Sequence, residues 1–156
     1  SVFGATFLKL GARSNIRTSK AYTSAGAELA GTCDCEDLAT AMIRFDNGSA
    51  LTVEMSFSLN VGKVENSVQL FGTRGGVKMA EDVTVYSELG GYLTDLKIDG
   101  QTGFDFEQSF CREISHFTDC ILNGTDCVNP TEDGIEMMKI LSAIYRSAEE
   151  GHEVIL

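Results

Sequence analysis

The feature that most restricts the fold is a change of hydrophobic period part-way along the chain. Ala39, Ala41, Ile43 and Phe45 alternate with Thr40, Met42 and Arg44. After Asp46-Asn47-Gly48-Ser49 the alternation resumes, with Leu51, Val53, Met55, Phe57 and Leu59 on one side and Thr52, Glu54, Ser56 and Ser58 on the other. A period of two is that of a strand, whose successive side chains point to opposite faces. Asn-Gly between two such runs predicts a β-hairpin closed by a type I′ turn. The second run has one apolar face and one face of Thr, Glu and Ser, so the sheet is expected to be covered on one side only. From Phe104 the period lengthens to that of a helix, and Phe110, Ile114, Phe117 and Ile121 fall on a single stripe.

The remaining segments follow the same logic. Residues 2–10 are apolar and β-branched enough for a strand, whereas residues 11–36 are rich in Gly, Ser, Thr and Ala without a sustained period and predict a long loop. Two further strand pairs are expected: Val68–Phe71 with Val77–Met79 around Gly72–Gly76, and Val83–Ser87 with Tyr92–Ile98 around Gly90-Gly91. Asn123-Gly124 supplies a left-handed stop for the first helix. A second helix is expected over about 131–150, with Ile135, Met138, Leu141, Tyr145 and Ala148 as its stripe and Gly151 at its end. Asn129-Pro130 with Glu132 predicts an N-terminal capping arrangement. Residues 153–156 could add a short edge strand. The sum is an α+β fold: an open-faced, mainly antiparallel sheet with two helices packed on one face and the other face available for subunit pairing.

The length of 156 residues suits one domain. A formal charge of −11 opposes nucleic acid and anionic lipid, both of which demand a positive face. No run approaches the ~18 uncharged apolar residues of a membrane helix, and no signal segment opens the chain. The chain begins with Ser1 rather than Met, as a fragment or a processed terminus would. Five cysteines without regular spacing read as reduced thiols of a cytoplasmic protein, not as a disulfide framework. Asn47-Gly48-Ser49 and Asn123-Gly124-Thr125 then read as turn chemistry rather than glycosylation sites.

Several groupings invite chemistry. His116 and Cys120 lie four apart on the first helix beside Asp119, which offers half a metal site or a thiol with its base, against the simpler reading of polar residues flanking Phe117. Cys33-Asp34-Cys35-Glu36-Asp37 provides two thiols where a metal wants about four convergent ligands. It reads better as an acidic loop running into a strand. Glu54 has no second carboxylate or His patterned around it, and Met137-Met138 suits core packing. No catalytic residue, metal ligand or cofactor contact is assigned.

The order and wording of four blocks resemble the C-terminal domain of the Gfo/Idh/MocA family of oxidoreductases, relatives of glucose–fructose oxidoreductase and inositol dehydrogenase. The blocks are Glu36–Ala41 leading into Arg44–Gly48, Leu70–Gly76, His116–Gly124, and Glu132–Glu136 through Ile144–Ala148 to Gly151–Val154. The resemblance implies a single C-terminal domain over 1–156, whose sheet face pairs subunits into a homo-oligomer and whose edge closes over a nicotinamide site. It implies an NAD- or NADP-dependent parent acting on a sugar, inositol or related polyol. The glycine-rich dinucleotide fingerprint, the Glu-Lys-Pro and the Asp-x-x-x-His of such enzymes do not occur here, and Gly72–Gly76 lacks the strand-to-helix context that places phosphate on a helix. The Rossmann domain would therefore be a separate partner upstream. The chain alone is expected to bind no cofactor and turn nothing over. Because the family places the exit of the first strand near the active site, Lys9 and Arg13 are the substrate-side candidates, with Arg17 and Lys20 further along the same loop. The competing readings are a stand-alone, non-catalytic binding or assembly module, and a hydrolase using Cys120 with His116.

Overall fold

The computed structural model describes residues 1–9, 35–56, 59, 66–80, 82–98 and 105–156. Arg13, Arg17, Lys20 and Cys33, with nearly all of the loop expected over 11–36, lie outside the described residues. The strands are β1 (Val2–Phe7), β2 (Leu38–Arg44), β3 (Ala50–Ser56), β4 (Val68–Gly72), β5 (Gly75–Met79), β6 (Val83–Leu89) and β7 (Tyr92–Lys97). The helices are α1 (Phe106–Asn123) and α2 (Thr131–Glu150). The α+β class, the antiparallel pairing and both helices are those the sequence predicts. The described strands form two antiparallel hydrogen-bonded sheets, β1-β2-β3 and β4-β5-β6-β7. They fall into two compact units, Ser1–Asn60 with Asn129–Leu156, and Val61–Val128.

In the first unit, pairing of Val2 with Ile43, Gly4 with Ala41, and Ala41 with Val53 puts these residues on one face of the sheet. Helix α2 lies on that face. Its buried residues are Ala143, Ile144 and Ser147, with Ile140 packed at the margin. The stripe expected from the sequence is thus rotated out of the contact: Ile135, Met138 and Tyr145 are all about half exposed. The reason is the closeness of the approach. A Cβ on Gly4 would stand 2.8 Å from both Cγ2 and the carbonyl oxygen of Ile144, so a glycine on β1 is what lets the helix cross this closely and fixes which of its turns meets the sheet. Two polar bonds lock this contact. The Gly4 N–H donates to Ser147 Oγ at 2.9 Å, and the Ser147 hydroxyl donates to the His152 carbonyl at 2.6 Å. Gly151, at φ +71°, ends α2 and turns the tail back, so that Val154 exchanges two 2.8 Å backbone bonds with Val2. Val2, Ile43, Ile144 and Val154 leave water almost completely, each worth roughly 1.5–3 kcal/mol relative to exposure.

Two local expectations change. The β2–β3 turn is not type I′: Asp46 and Asn47 keep negative φ, only Gly48 is left-handed at +84°, and the Gly48 N–H donates to the Phe45 carbonyl at 3.0 Å. This is a type I turn with glycine in the following left-handed position. Asn47 keeps its ordinary backbone because Oδ1 accepts from the Ser49 amide at 2.9 Å and from its hydroxyl at 2.7 Å. The type I′ pattern appears instead at Gly90 and Gly91, both with positive φ, between β6 and β7. Two glycines adopt it without the Cβ penalty that an Asn would meet. At the start of α2, Pro130 itself is the N-cap and no side chain caps the helix. Its extended backbone leaves Asn129 one residue too early for the predicted arrangement.

The second unit is a meander in which each strand pairs with its sequence neighbour. Helix α1 ends where predicted, with Gly124 at φ +63°, and at its start Asp105, not singled out in the sequence, accepts from the Gln108 amide at 3.0 Å. Its stripe of Phe110, Ile114, Phe117 and Ile121 forms, yet each of the four is more than half exposed.

Candidate functional site

The most highly organised polar group in the first unit stands where β1 ends and β2 begins. Asp37 is 5% exposed. Its amide donates to the Phe7 carbonyl at 2.7 Å, its carboxylate accepts from the Lys9 amide, and its carbonyl accepts from the Ser56 hydroxyl at 2.6 Å. One residue therefore ties together the ends of β1 and β3 and the start of β2. Lys9 is held by its backbone, and its side chain is exposed. Of the two substrate-side candidates, Lys9 is thus placed at this clasp, and Arg13 lies outside the described residues.

Glu36, next in sequence, extends the group to α2 by accepting a hydrogen bond from the Tyr145 hydroxyl. That bond holds the Glu36 carboxyl below its ordinary 4.5 and, with some desolvation, raises the Tyr145 phenol above its ordinary 10.0. Both residues stand on the rim of a cleft of about 600 Å³ between α2 and the inner sheet face, walled by Ala41, Val53, Met55, Ile140 and Leu141 among others. Such walls suit apolar groups. A polyol needs hydrogen-bond partners around its ring, so the polar rim and not the cleft interior has the matching chemistry. Sequence reasoning singled out Lys9 and treated Glu36-Asp37 as an acidic approach to a strand. Tyr145 was assigned to an apolar stripe because its spacing fits one, and only the rotation of α2 shows its hydroxyl turned to Glu36.

Elsewhere, the structure brings Cys127 to the His116–Cys120 pair, with the three ligand atoms within 4.8 Å of one another. The Gly72–Gly76 segment turns β4 into β5 and no helix starts there, so it does not offer the helix N-terminus that cradles a dinucleotide phosphate. No helix among the described residues is long and apolar enough to cross a membrane.

The architecture recurs in solved oxidoreductases. An oxidoreductase domain protein from Kribbella flavida superposes with a TM-score of 0.74 at 16% identity, over 97% of this chain and 44% of that one. Levoglucosan dehydrogenase in complex with NADH and levoglucosan does so at 0.75 and 18%, over 97% and 43%. The fold is therefore of the same α+β class as the corresponding part of these proteins. More specifically, a family profile described as the C-terminal alpha/beta domain of the oxidoreductase family, Gfo/Idh/MocA, matches residues 11–156, and the chain belongs to that family. A curated relative, scyllo-inositol 2-dehydrogenase (NAD(+)) of Bacillus subtilis (strain 168), is 29% identical over 124 residues, which are 77% of this chain and 35% of that protein. The chain thus spans about a third of the curated relative it matches.

Proposed function

We propose that this chain is the substrate-side and subunit-pairing part of a cytoplasmic NAD(P)-dependent dehydrogenase acting on a sugar, inositol or related polyol. The observation that carries this reading is the family match over residues 11–156, together with an inositol dehydrogenase aligned over 77% of the chain. The nicotinamide cofactor would be held by a preceding domain and would supply the hydride chemistry. The part played by this chain is to bind and orient hydroxyls at the edge where Lys9, Asp37, Glu36 and Tyr145 meet, with Arg13, four positions on in the sequence, as the second candidate. A cation beside carboxylates suits a neutral polyol, because each hydroxyl can both donate and accept. Assay of the full-length native polypeptide with NAD or NADP against a panel of polyols and aldoses tests the reading. Turnover is expected, with kcat/KM falling roughly tenfold or more in Lys9→Met, the cost of one charged hydrogen bond. A full-length polypeptide that neither binds the cofactor nor oxidises any member of the panel removes the dehydrogenase reading and leaves the assembly module.

The pairing surface in this reading is the sheet face turned away from α2. Strand alternation puts Phe3, Phe7 and Met42 there beside Thr52 and Glu54, and the first three are 43–51% exposed. Aromatic residues and Met are enriched at interfaces. Thr52→Arg, which disturbs neither the Asp37 clasp nor the core, should shift the mass in light scattering toward monomer. An unshifted oligomer would exclude this face.

A further inference from the structure

We propose that His116, Cys120 and Cys127 form a binding site for one borderline-soft divalent cation of the zinc(II) class. On α1, a separation of four residues puts His116 and Cys120 on the same side one turn apart. Gly124 then reverses the chain, and the segment behind it brings Cys127 to the pair, so that all three ligand atoms lie within 4.8 Å of one another. The His116–Cys120 spacing is that of coordination. Bonds of about 2.3 Å to sulfur and about 2.1 Å to nitrogen at a tetrahedral angle put S and N about 3.6 Å apart. Cys120 Sγ and His116 Nε2 are 3.6 Å apart.

The donor set favours zinc over harder ions, since two thiolates and an imidazole select soft and borderline metals, while magnesium and calcium want oxygen. The Val128 amide donates to His116 Nε2 at 3.0 Å, so that nitrogen carries no proton, as a metal requires. The cation replaces this bond, and the Cys120 thiol gives up its contact with the Asp126 carbonyl at 3.5 Å. Each thiol releases its proton to solvent, two per cation, and affinity therefore falls with falling pH. Three protein ligands leave a fourth position for water or a small ligand. The site clips the segment after α1 back onto the helix, a role independent of the dehydrogenase reading.

Cobalt(II) is the probe. Added to the reduced, chelator-stripped chain, it should bind one ion per chain with thiolate-to-cobalt charge-transfer and tetrahedral d–d bands, and zinc should abolish them. Cys127→Ser and His116→Gln should each weaken binding by more than about 100-fold, beyond what loss of an outer partner costs. Cys35→Ser and Cys111→Ser should leave it unchanged. The Gln keeps an acceptor for Val128, and circular dichroism checks that both variants fold. As a second readout in the unaltered chain, zinc should shield Cys120 and Cys127 from alkylation while Cys35 and Cys111 react. A reduced chain without charge-transfer bands, bands that persist in Cys127→Ser, or thiols alkylated at the same rate with and without zinc would overturn the proposal. So would a Cys120–Cys127 disulfide that forms equally well in the presence of zinc, which would mark a redox pair.

Discussion

In the first unit the residues that leave water come from the far ends of the chain: Val2 and Val154 are bonded to each other, and Ile43 and Ile144 meet beside them. In the second unit each strand is paired with its sequence neighbour, and β4 is exposed along its whole length. Phe71, Leu89, Tyr92 and Leu93 are all at least 75% exposed. The contrast separates two ways of specifying structure. Short turns and alternation are enough to register a meander, because neighbours meet at little loop-closure cost. A core assembled from both ends of the chain requires a shape match that no short window contains. Here the match is a glycine on β1 facing a helix that carries Ala143, Ile144 and Ser147.

The largest effect should come from breaking that match. Gly4→Val forces a branched side chain into the backbone of α2, and overpacking of this kind costs about 3 kcal/mol. Hydrogen exchange should show β1, β2 and α2 losing protection while β5 and β6 keep theirs. Loss of both sets at one denaturant midpoint would show that the two units unfold together. Ser147→Ala comes next. It strands the Gly4 amide and the His152 carbonyl, and an unsatisfied buried group costs about 1–3 kcal/mol, readable as a lower urea midpoint with an unchanged slope.

Gly91→Ala probes the other unit. At φ +84° a Cβ costs about 1–2 kcal/mol, and the expected result is faster exchange confined to β6 and β7. Equal loosening of β1 and β2 would contradict the local character assigned to the meander. The smallest effect belongs to Tyr145→Phe. Glu36 titrates below its ordinary 4.5, so its share of the bridge is present above that pH and lost as pH falls through the folded value. Tyr145 titrates above 10.0, so its share is present below 10.0 and lost as pH rises through the folded value. Between these limits the variant should be slightly less stable than the parent, and outside them the difference should close. In an NMR titration the Glu36 midpoint should move up in the variant; an unmoved midpoint would remove Tyr145 as the cause.

How far the sequence anticipates the molecule follows the same division. Alternation located β2 and β3, the glycine pairs located the later hairpins, and Gly124 and Gly151 ended both helices where expected. These are local signals, carried by backbone preference and period. The buried face of α2 differs from the apolar stripe because the close approach at Gly4 sets which turn of the helix meets the sheet, and Ala143, Ile144 and Ser147 stand there. The turn at Asn47 was misjudged because its side chain bonds to Ser49 and relieves the backbone of the left-handed form. For the candidate site, Lys9 is a proposal that rests on the family resemblance, while no local pattern in the sequence marks Asp37 as a clasp. Its partners Phe7, Lys9 and Ser56 are distant in sequence and meet only in the sheet. Cys127 is no more legible, for a related reason: six residues separate it from Cys120, and only the reversal at Gly124 cancels that distance.

The paired bonds between Val2 and Val154 carry a topological consequence. Antiparallel neighbours lie about 5 Å apart, so the backbone of the first unit returns almost to its start, a ring left open between Val154 and Val2. A few residues joining Leu156 to Ser1 would close it. The ring could then be cut at the exposed Gly90-Gly91 tip, giving a permuted chain whose first and last residues lie in the meander while every contact of the Val2–Ile43–Ile144–Val154 core is retained.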